Sequence, residues 1–410
     1  MGEARGGRHA LLFIFITMLI DNIGLGIVIP VMPKLIVSLI GGTLGEAAPY
    51  GGWLFDAYAA MQFLFAPAIG NLSDRFGRRP VLILALVALG IDYMITGFAP
   101  TIAWLFVGRL LSGAAGGTYS TVNAYVADIS PPEKRAANFG LIGAAFGLGF
   151  IIGPLLGGVL GQFGPRVPFF VAGGLAFANA LYGYFVLAES LPKENRRPFA
   201  LARANPVGAV VALSRFPLLI ALFAVFVLIQ FAHDANPAVW TYYVMAKFHW
   251  NTLQVAYSLV AVGALGVIVS AALTGYIVAW IGETAAIYVG LTLGAAGFAG
   301  IALASEGWMV YAWMPLMMFM ALASPALSAI ASQHVGPDEQ GELQGALASL
   351  GSLSSLLAIP LMSYLFAWFT SDAAPINFPG APFVASALFM LAAAGVFART
   401  RPAPALSPAE

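Results

Sequence analysis

Gly70-Asn71-Leu72-Ser73-Asp74-Arg75-Phe76-Gly77-Arg78-Arg79-Pro80 decides how this chain folds. Asp74, Arg75, Arg78 and Arg79 put four charges into six residues, between two long apolar runs. Such a cluster cannot sit in hydrocarbon, where each charge is expensive. The chain must surface here between two membrane spans. Gly70 and Gly77 permit a tight reversal. Pro80 suits the first turn of the next helix, where its missing N–H has no intrahelical use.

The composition agrees with that reading. The 410 residues are 60% hydrophobic and only 9% charged, against about 25% charged in soluble chains, which excludes a soluble globular protein. Basic and acidic residues balance at 18 each, so no basic field points to nucleic acid. The absence of cysteine excludes disulfides and thiolate metal sites, and no metal or other cofactor is expected. Arg5 and Arg8 followed by an apolar run could suggest a signal peptide. That run reaches Pro33, contains Asp21 and Asn22, and lacks a small-residue cleavage site, so it reads as an uncleaved first span.

A span needs roughly 20 apolar residues. Such runs lie near 10–33, 52–71, 81–99, 102–126, 137–161, 168–188, 216–240, 253–276, 285–304, 308–332, 342–368 and 380–398. The expectation is an all-α membrane protein of twelve transmembrane helices. With the N-terminus cytoplasmic, fourteen Lys and Arg fall on that side and three (Lys34, Arg166, Lys247) on the other, leaving Arg109 within a span. The imbalance places both termini in the cytoplasm. The longest polar connection follows the sixth span and predicts two six-helix bundles, 1–190 and 216–410, joined by a cytoplasmic linker at 191–215. A shift of 205 residues takes Gly70, Gly77, Pro132, Glu133 and Gly140 onto Gly275, Gly282, Pro337, Asp338 and Gly345. This offset predicts duplicated, pseudo-symmetric halves. The second copy of the opening motif is worn, with Trp280 in the place of Arg75.

Ionisable groups inside a membrane are functional candidates by default. At about 1.5 Å per residue, Asp21, Asp92 and Arg109 all lie roughly 17–18 Å from the inner face. If they meet around a cavity, Arg109 balances one carboxylate and leaves the other poorly compensated. That group can bind and release a proton as the cavity opens to each side, making protons the coupling ion. Static charge pairing that fixes helix register is the alternative. Asn22, Gln62, Asn123, His233 and Asp234 are candidates for lining a cargo cavity, although Gln62 suits helix–helix contact equally well. Asp56 is expected within a turn of its helix end. His233 and Asp234 are expected near the outer mouth of the seventh span, with Asn236-Pro237 breaking the helix.

The fifth span carries Gly143, Gly147, Gly149, Gly153, Pro154, Gly157 and Gly158. Small residues four apart let another helix approach closely. Gly263, Gly266, Ser270, Thr274 and Gly275 of the eighth span offer one possible partner face.

Several of these stretches resemble a known family. The opening segment is similar to the loop between the second and third helices of major facilitator transporters. The glycine string resembles the antiporter motif of facilitator exporters, with two residues between Pro154 and the glycine pair, and so implies export. Ile20 to Pro33, Tyr58 to Pro67, Asp92-Tyr93, Gly108-Arg109, Ala124 to Ile129, Phe248-His249-Trp250 and Gln340 to Gly345 resemble the tetracycline-efflux family. The resemblance implies a major facilitator fold and exchange of an inward proton for an outward drug, with Asp21, Asp92 and Arg109 as functional positions. It further implies a cytoplasmic gate of Asp74, Arg75, Arg78 and Asp128. In that gate Asp74 would face the start of the eleventh helix and Arg78 would pair with Asp128. One departure stands out: the tetracycline exporters carry an aspartate in the ninth span, where this chain has Gly294. Asp234 could supply a substitute carboxylate.

The expected function is therefore proton-coupled export of amphipathic organic compounds, tetracycline-like or broader, by a monomer in a bacterial inner membrane. The partners are a small organic substrate and the lipid bilayer. A same-fold transporter of a sugar, metabolite or lipid is the nearest alternative. An intramembrane hydrolase using Asp21 and Asp92 is remote, because no G-x-G-D, H-E-x-x-H or G-x-S-x-G context accompanies them.

Overall fold

The computed structural model describes residues 2–115, 118–131, 134–196, 217–335 and 340–400, and among them the regular structure is helical, with no strand. The helices are α1 (Gly2–Val28), α2 (Met32–Ile40), α3 (Leu44–Phe76), α4 (Arg78–Phe98), α5 (Ile102–Ala115), α6 (Thr118–Ile129), α7 (Arg135–Leu160) and α8 (Val167–Val186). Then come α9 (Pro217–His233), α10 (Ala235–Phe248), α11 (Thr252–Val267), α12 (Thr274–Ile281), α13 (Glu283–Leu303), α14 (Gly307–Met318), α15 (Ala323–Ser332), α16 (Gln340–Phe369) and α17 (Ala381–Arg399). Each of the twelve apolar runs falls on one helix or on consecutive ones. Ten stretches among the described residues are long and apolar enough to cross a membrane. The remaining two runs fall on the 33-residue α3 and on 102–129, divided between α5 and α6.

The second span starts earlier than its apolar run suggests. Thr43 and Glu46 form a reciprocal cap, the Thr43 N–H donating to Glu46 Oε2 at 2.7 Å and the Glu46 N–H to Thr43 Oγ1 at 3.2 Å. This S/T-x-x-E pattern satisfies two otherwise unpaired amides, and it moves the helix start from 52 to 44. Asp56 consequently lies twelve residues inside the helix, not within a turn of its end.

The offset of 205 residues holds in the backbone. It carries α4 (Arg78–Phe98) onto α13 (Glu283–Leu303) end for end. Gly77 (φ 106°, ψ 159°) and Gly282 (φ 80°, ψ 161°) each form a one-residue hinge between consecutive helices. Only glycine occupies that region without strain, which explains why these two positions match in both halves. Pro132, Glu133, Pro337 and Asp338 lie outside the described residues.

Contacts gather the chain into two compact units, Met1–Ala204 with Trp240–Ala264, and Asn205–Val239 with Leu265–Glu410. Most of the expected linker at 191–215 falls on 197–216, outside the described residues. In the first unit α1 packs against α7 and α8, and α4 packs against α5 and α8. Phe13, Met18, Leu82, Val122, Tyr125 and Leu187 belong to one buried cluster there. In the second unit α9 packs against α15, α16 and α17, and α13 against α14, α15 and α17. Large apolar side chains such as Leu84, Phe98, Leu181 and Phe185 are at least 60% exposed, as a surface solvated by lipid requires.

Candidate functional site

The first unit brings the three intramembrane charges together. Asp92 on α4 is 0% exposed, and its Oδ2 accepts a hydrogen bond from Arg109 Nη2 on α5. Its Oδ1 faces the Thr96 hydroxyl at 3.4 Å. A side chain at Gly108 would collide with that same oxygen, so the glycine before the arginine lets α5 approach the carboxylate. The Arg109 guanidinium also lies over the Tyr58 ring of α3, 5.9 Å from its centroid, within reach of a cation–π attraction.

Asp21 on α1 is 8% exposed and forms no ion pair among the described residues. It lines a narrow crevice with Gly24, Tyr93 and Asn179, closed by apolar side chains of α4 and α8. Asn179 is anchored to α1 by hydrogen bonds with the Thr17 hydroxyl at 3.2 Å and the Thr17 carbonyl at 3.3 Å. Tyr58 and Tyr93 each lie within electrostatic reach of Asp21, Asp92 and Arg109 together. The site is thus one ion pair and one lone carboxylate around two tyrosines. The tyrosines were not singled out as site residues from sequence, although both fall in the family-like stretches.

Of the expected cavity-lining groups in this unit, Asn22 is buried and donates to the Met18 carbonyl of its own helix at 2.6 Å. It also stands against Gly149 of α7. Gln62 is half-buried on α3, one turn from Tyr58, and Asn123 is exposed on α6.

The glycine string of α7 meets α1, not chiefly the eighth span. A methyl group on Gly149 would stand 2.5 Å from the Asn22 Cβ, and one on Gly153 would stand 2.7 Å from the Gly26 Cα. Gly157 faces the Ile27 carbonyl, so the row runs along the Asn22–Ile27 stretch. Gly158 alone turns to Thr252 and Ala256 on α11, with Gly263 touching Ile151 farther along. Gly143 has open space around it, and Gly147 is half-buried. Small-residue spacing identified the thin face but not which helix fills it.

At the opening motif Arg78 binds three groups. Its Nη1 donates to Asp74 Oδ1 at 2.5 Å and Ser73 Oγ at 2.6 Å, and its Nε to Asp128 Oδ2 at 3.3 Å. Arg75 is exposed and stacks over Phe76. The chain after α8 latches onto this loop. Glu189 accepts from the Arg78 N–H at 2.7 Å and the Arg79 N–H at 3.3 Å, capping the free amides that begin α4. Ser190 Oγ donates to Asp128 at 3.0 Å, and Tyr125 donates to the Ala188 carbonyl at 2.9 Å. Glu189→Ala is expected to cost about 1–2 kcal/mol, as loss of a helix N-cap does. Thermal unfolding of purified protein measures this, with exposed Glu194→Ala expected to leave the midpoint unchanged.

In the second unit the helix does not stop at His233 and Asp234. The helix resumes at Ala235 and runs to Phe248, so Asp234 stands 15 residues from Leu219 and 14 from Phe248 in one 30-residue apolar stretch. Asn236-Pro237 does not end the helix either. Hydrogen bonds from the Asp234 N–H to the Gln230 carbonyl (3.0 Å) and from the Ala238 N–H to the Asp234 carbonyl (3.1 Å) carry it through a single turn residue. Gly294 is buried in α13, where an added methyl would stand 3.1 Å from Met320.

The Major Facilitator Superfamily model matches residues 14–359. The chain is similar to the tetracycline resistance protein, class C, of Escherichia coli, 38% identical over 360 residues that cover 88% of this chain and 90% of that protein. It is likewise 38% identical over 349 residues to the class G protein of Vibrio anguillarum, covering 82% and 85% of the two chains. Among solved structures, a bacterial homolog of the human lysosomal transporter Spinster, inward-facing and unoccupied, matches with a TM-score of 0.79 over 97% of each chain. At 15% identity that likeness is one of fold.

Proposed function

The chain belongs to the Major Facilitator Superfamily and is an integral membrane transporter of small molecules, and we propose that it exports amphipathic organic drugs in exchange for protons. The observation that carries this reading is Asp21: a buried carboxylate without an ion pair among the described residues, beside an Asp92–Arg109 pair and two tyrosines. Arg109 pairs with Asp92 and fixes its position. Asp21 carries the exchangeable proton, and its neutral and ionised forms favour different faces of the transporter. A ligand shifts such an equilibrium only by its differential affinity for the two states, and a lone buried carboxylate has that differential. Likeness to proteins named for tetracycline resistance supports a drug as cargo. In this reading both termini face the cytoplasm of a bacterial inner membrane and the monomer is the working unit.

A second reading keeps the mechanism and changes the cargo. It is favoured by α13, whose only charged residue is Glu283 at its start and which packs Gly294 against Met320. Susceptibility of an efflux-deficient bacterium to tetracycline and to cationic dyes tests both readings. Wild-type chain should protect against at least one compound, and Asp21→Asn, present at equal amount in the membrane, should protect against none. Equal protection by the two would overturn the assignment of Asp21. Protection against dyes but not tetracycline would select the second reading.

A further inference from the structure

Asp234 is 3% exposed and lies midway along a 30-residue apolar stretch. Its Oδ1 accepts from Gln230 Nε2 at 3.0 Å and lies 3.2 Å from His233 Nδ1. Its Oδ2 is buried without a hydrogen-bond partner. A carboxylate with one bare oxygen in an apolar span is costly, and a structural anchor would have both oxygens satisfied. A proton removes that cost, and the geometry supplies a route for one. The His233 side chain is 55% exposed, while its Nδ1 faces the buried carboxylate. With Nδ1–H directed at Oδ1, ring Nε2 on this exposed side chain is the position that takes up a proton. That gives an imidazolium against the carboxylate, or passes a proton on to the acid.

We infer that His233 and Asp234, steadied by Gln230, form a second proton-binding centre in the second unit. It goes beyond the reading above and does not rest on Asp21. The surroundings leave the proton balance to this pair. Gln230 is held by Ser355 of α16 at 3.3 Å. Helix α15 has no ionisable residue, α16 has Glu342 and Tyr364, and α17 has Arg399 at its end. On α10 the nearest are Tyr242, Tyr243 and Lys247, eight or more residues beyond Asp234. The centre also sits at a weak point of the backbone. Pro237 offers no N–H to the His233 carbonyl, so the turn at Asp234 is the place where this long helix can flex.

Infrared difference spectra of the purified full chain in detergent, recorded between acidic and alkaline pH without cargo, test the inference directly. A carbonyl-stretch band of a protonated carboxyl should appear at acidic pH, vanish in Asp234→Asn, move in Asp234→Glu and persist in Asp21→Asn. His233→Gln should change the pH at which the band appears. Spectra of Asp234→Asn that superimpose on wild type at every pH would overturn the inference. Should that variant not fold, a band unmoved in Asp234→Glu would overturn it equally. Loss of a different band in Asp21→Asn bears on the proposed function alone, so the two failures are distinguishable.

Discussion

Arg109→Ala should lower the unfolding midpoint of the purified protein by the equivalent of about 3–5 kcal/mol, the usual cost of removing one partner from a buried ion pair. The reason is Asp92, which is wholly buried and whose further partner among the described residues is the Thr96 hydroxyl. Once the guanidinium is gone, the carboxylate must stay charged in an apolar core or take up a proton. The companion experiment separates pairing from function. Asp92→Asn combined with Arg109→Gln removes both charges, and much of the lost stability should return. Transport should stay absent in the double variant if the pair is part of the coupling machinery. A double variant that recovers both stability and transport would reduce the pair to a register pin.

Gly153→Leu should prevent the first unit from folding. The α1–α7 contact is backbone on backbone: a single methyl at 153 would stand 2.7 Å from both the Gly26 Cα and the Ile23 carbonyl oxygen. Neither atom is the movable end of a side chain, so the helices must part. Gly153→Ala should cost about 1–3 kcal/mol, as overpacking does. Leucine adds three more carbons to the same gap and should abolish accumulation of folded protein in the membrane. Gly143→Ala, on the same helix with open space around it, should leave the midpoint and the yield unchanged. Fluorescence-detected size exclusion of the three variants measures the outcome, and equal profiles for Gly143→Ala and Gly153→Leu would contradict the packing described.

Much of this arrangement was legible in the chain itself. Charge clusters and apolar runs located the spans, because hydrocarbon rejects charge strongly and without regard to context. The shared depth of Asp21, Asp92 and Arg109 followed from helical rise alone. It could not say which carboxylate Arg109 would take, since that depends on Gly108 admitting Asp92. Tyr58 and Tyr93 went unmarked because a tyrosine inside a span looks like apolar filler until its ring is placed among charges. Glu189 carries no local signal for its role, its partners lying 110 and 111 positions away. The Thr43–Glu46 cap was readable but lay outside the apolar run used to draw the helix. The passage of the helix through Asn236-Pro237 was not readable, because a proline in a polar stretch resembles a helix end and only the hydrogen bonds on either side of Asp234 show it continuing.

The central claim is that a proton on Asp21 drives cargo across the membrane. Its most direct test is accumulation of the best-protected compound by liposomes containing purified protein, under an imposed pH gradient. Wild-type protein should accumulate the compound only while the gradient lasts, and Asp21→Asn should not respond to the gradient at all. Gradient-driven accumulation by Asp21→Asn equal to wild type would contradict the account.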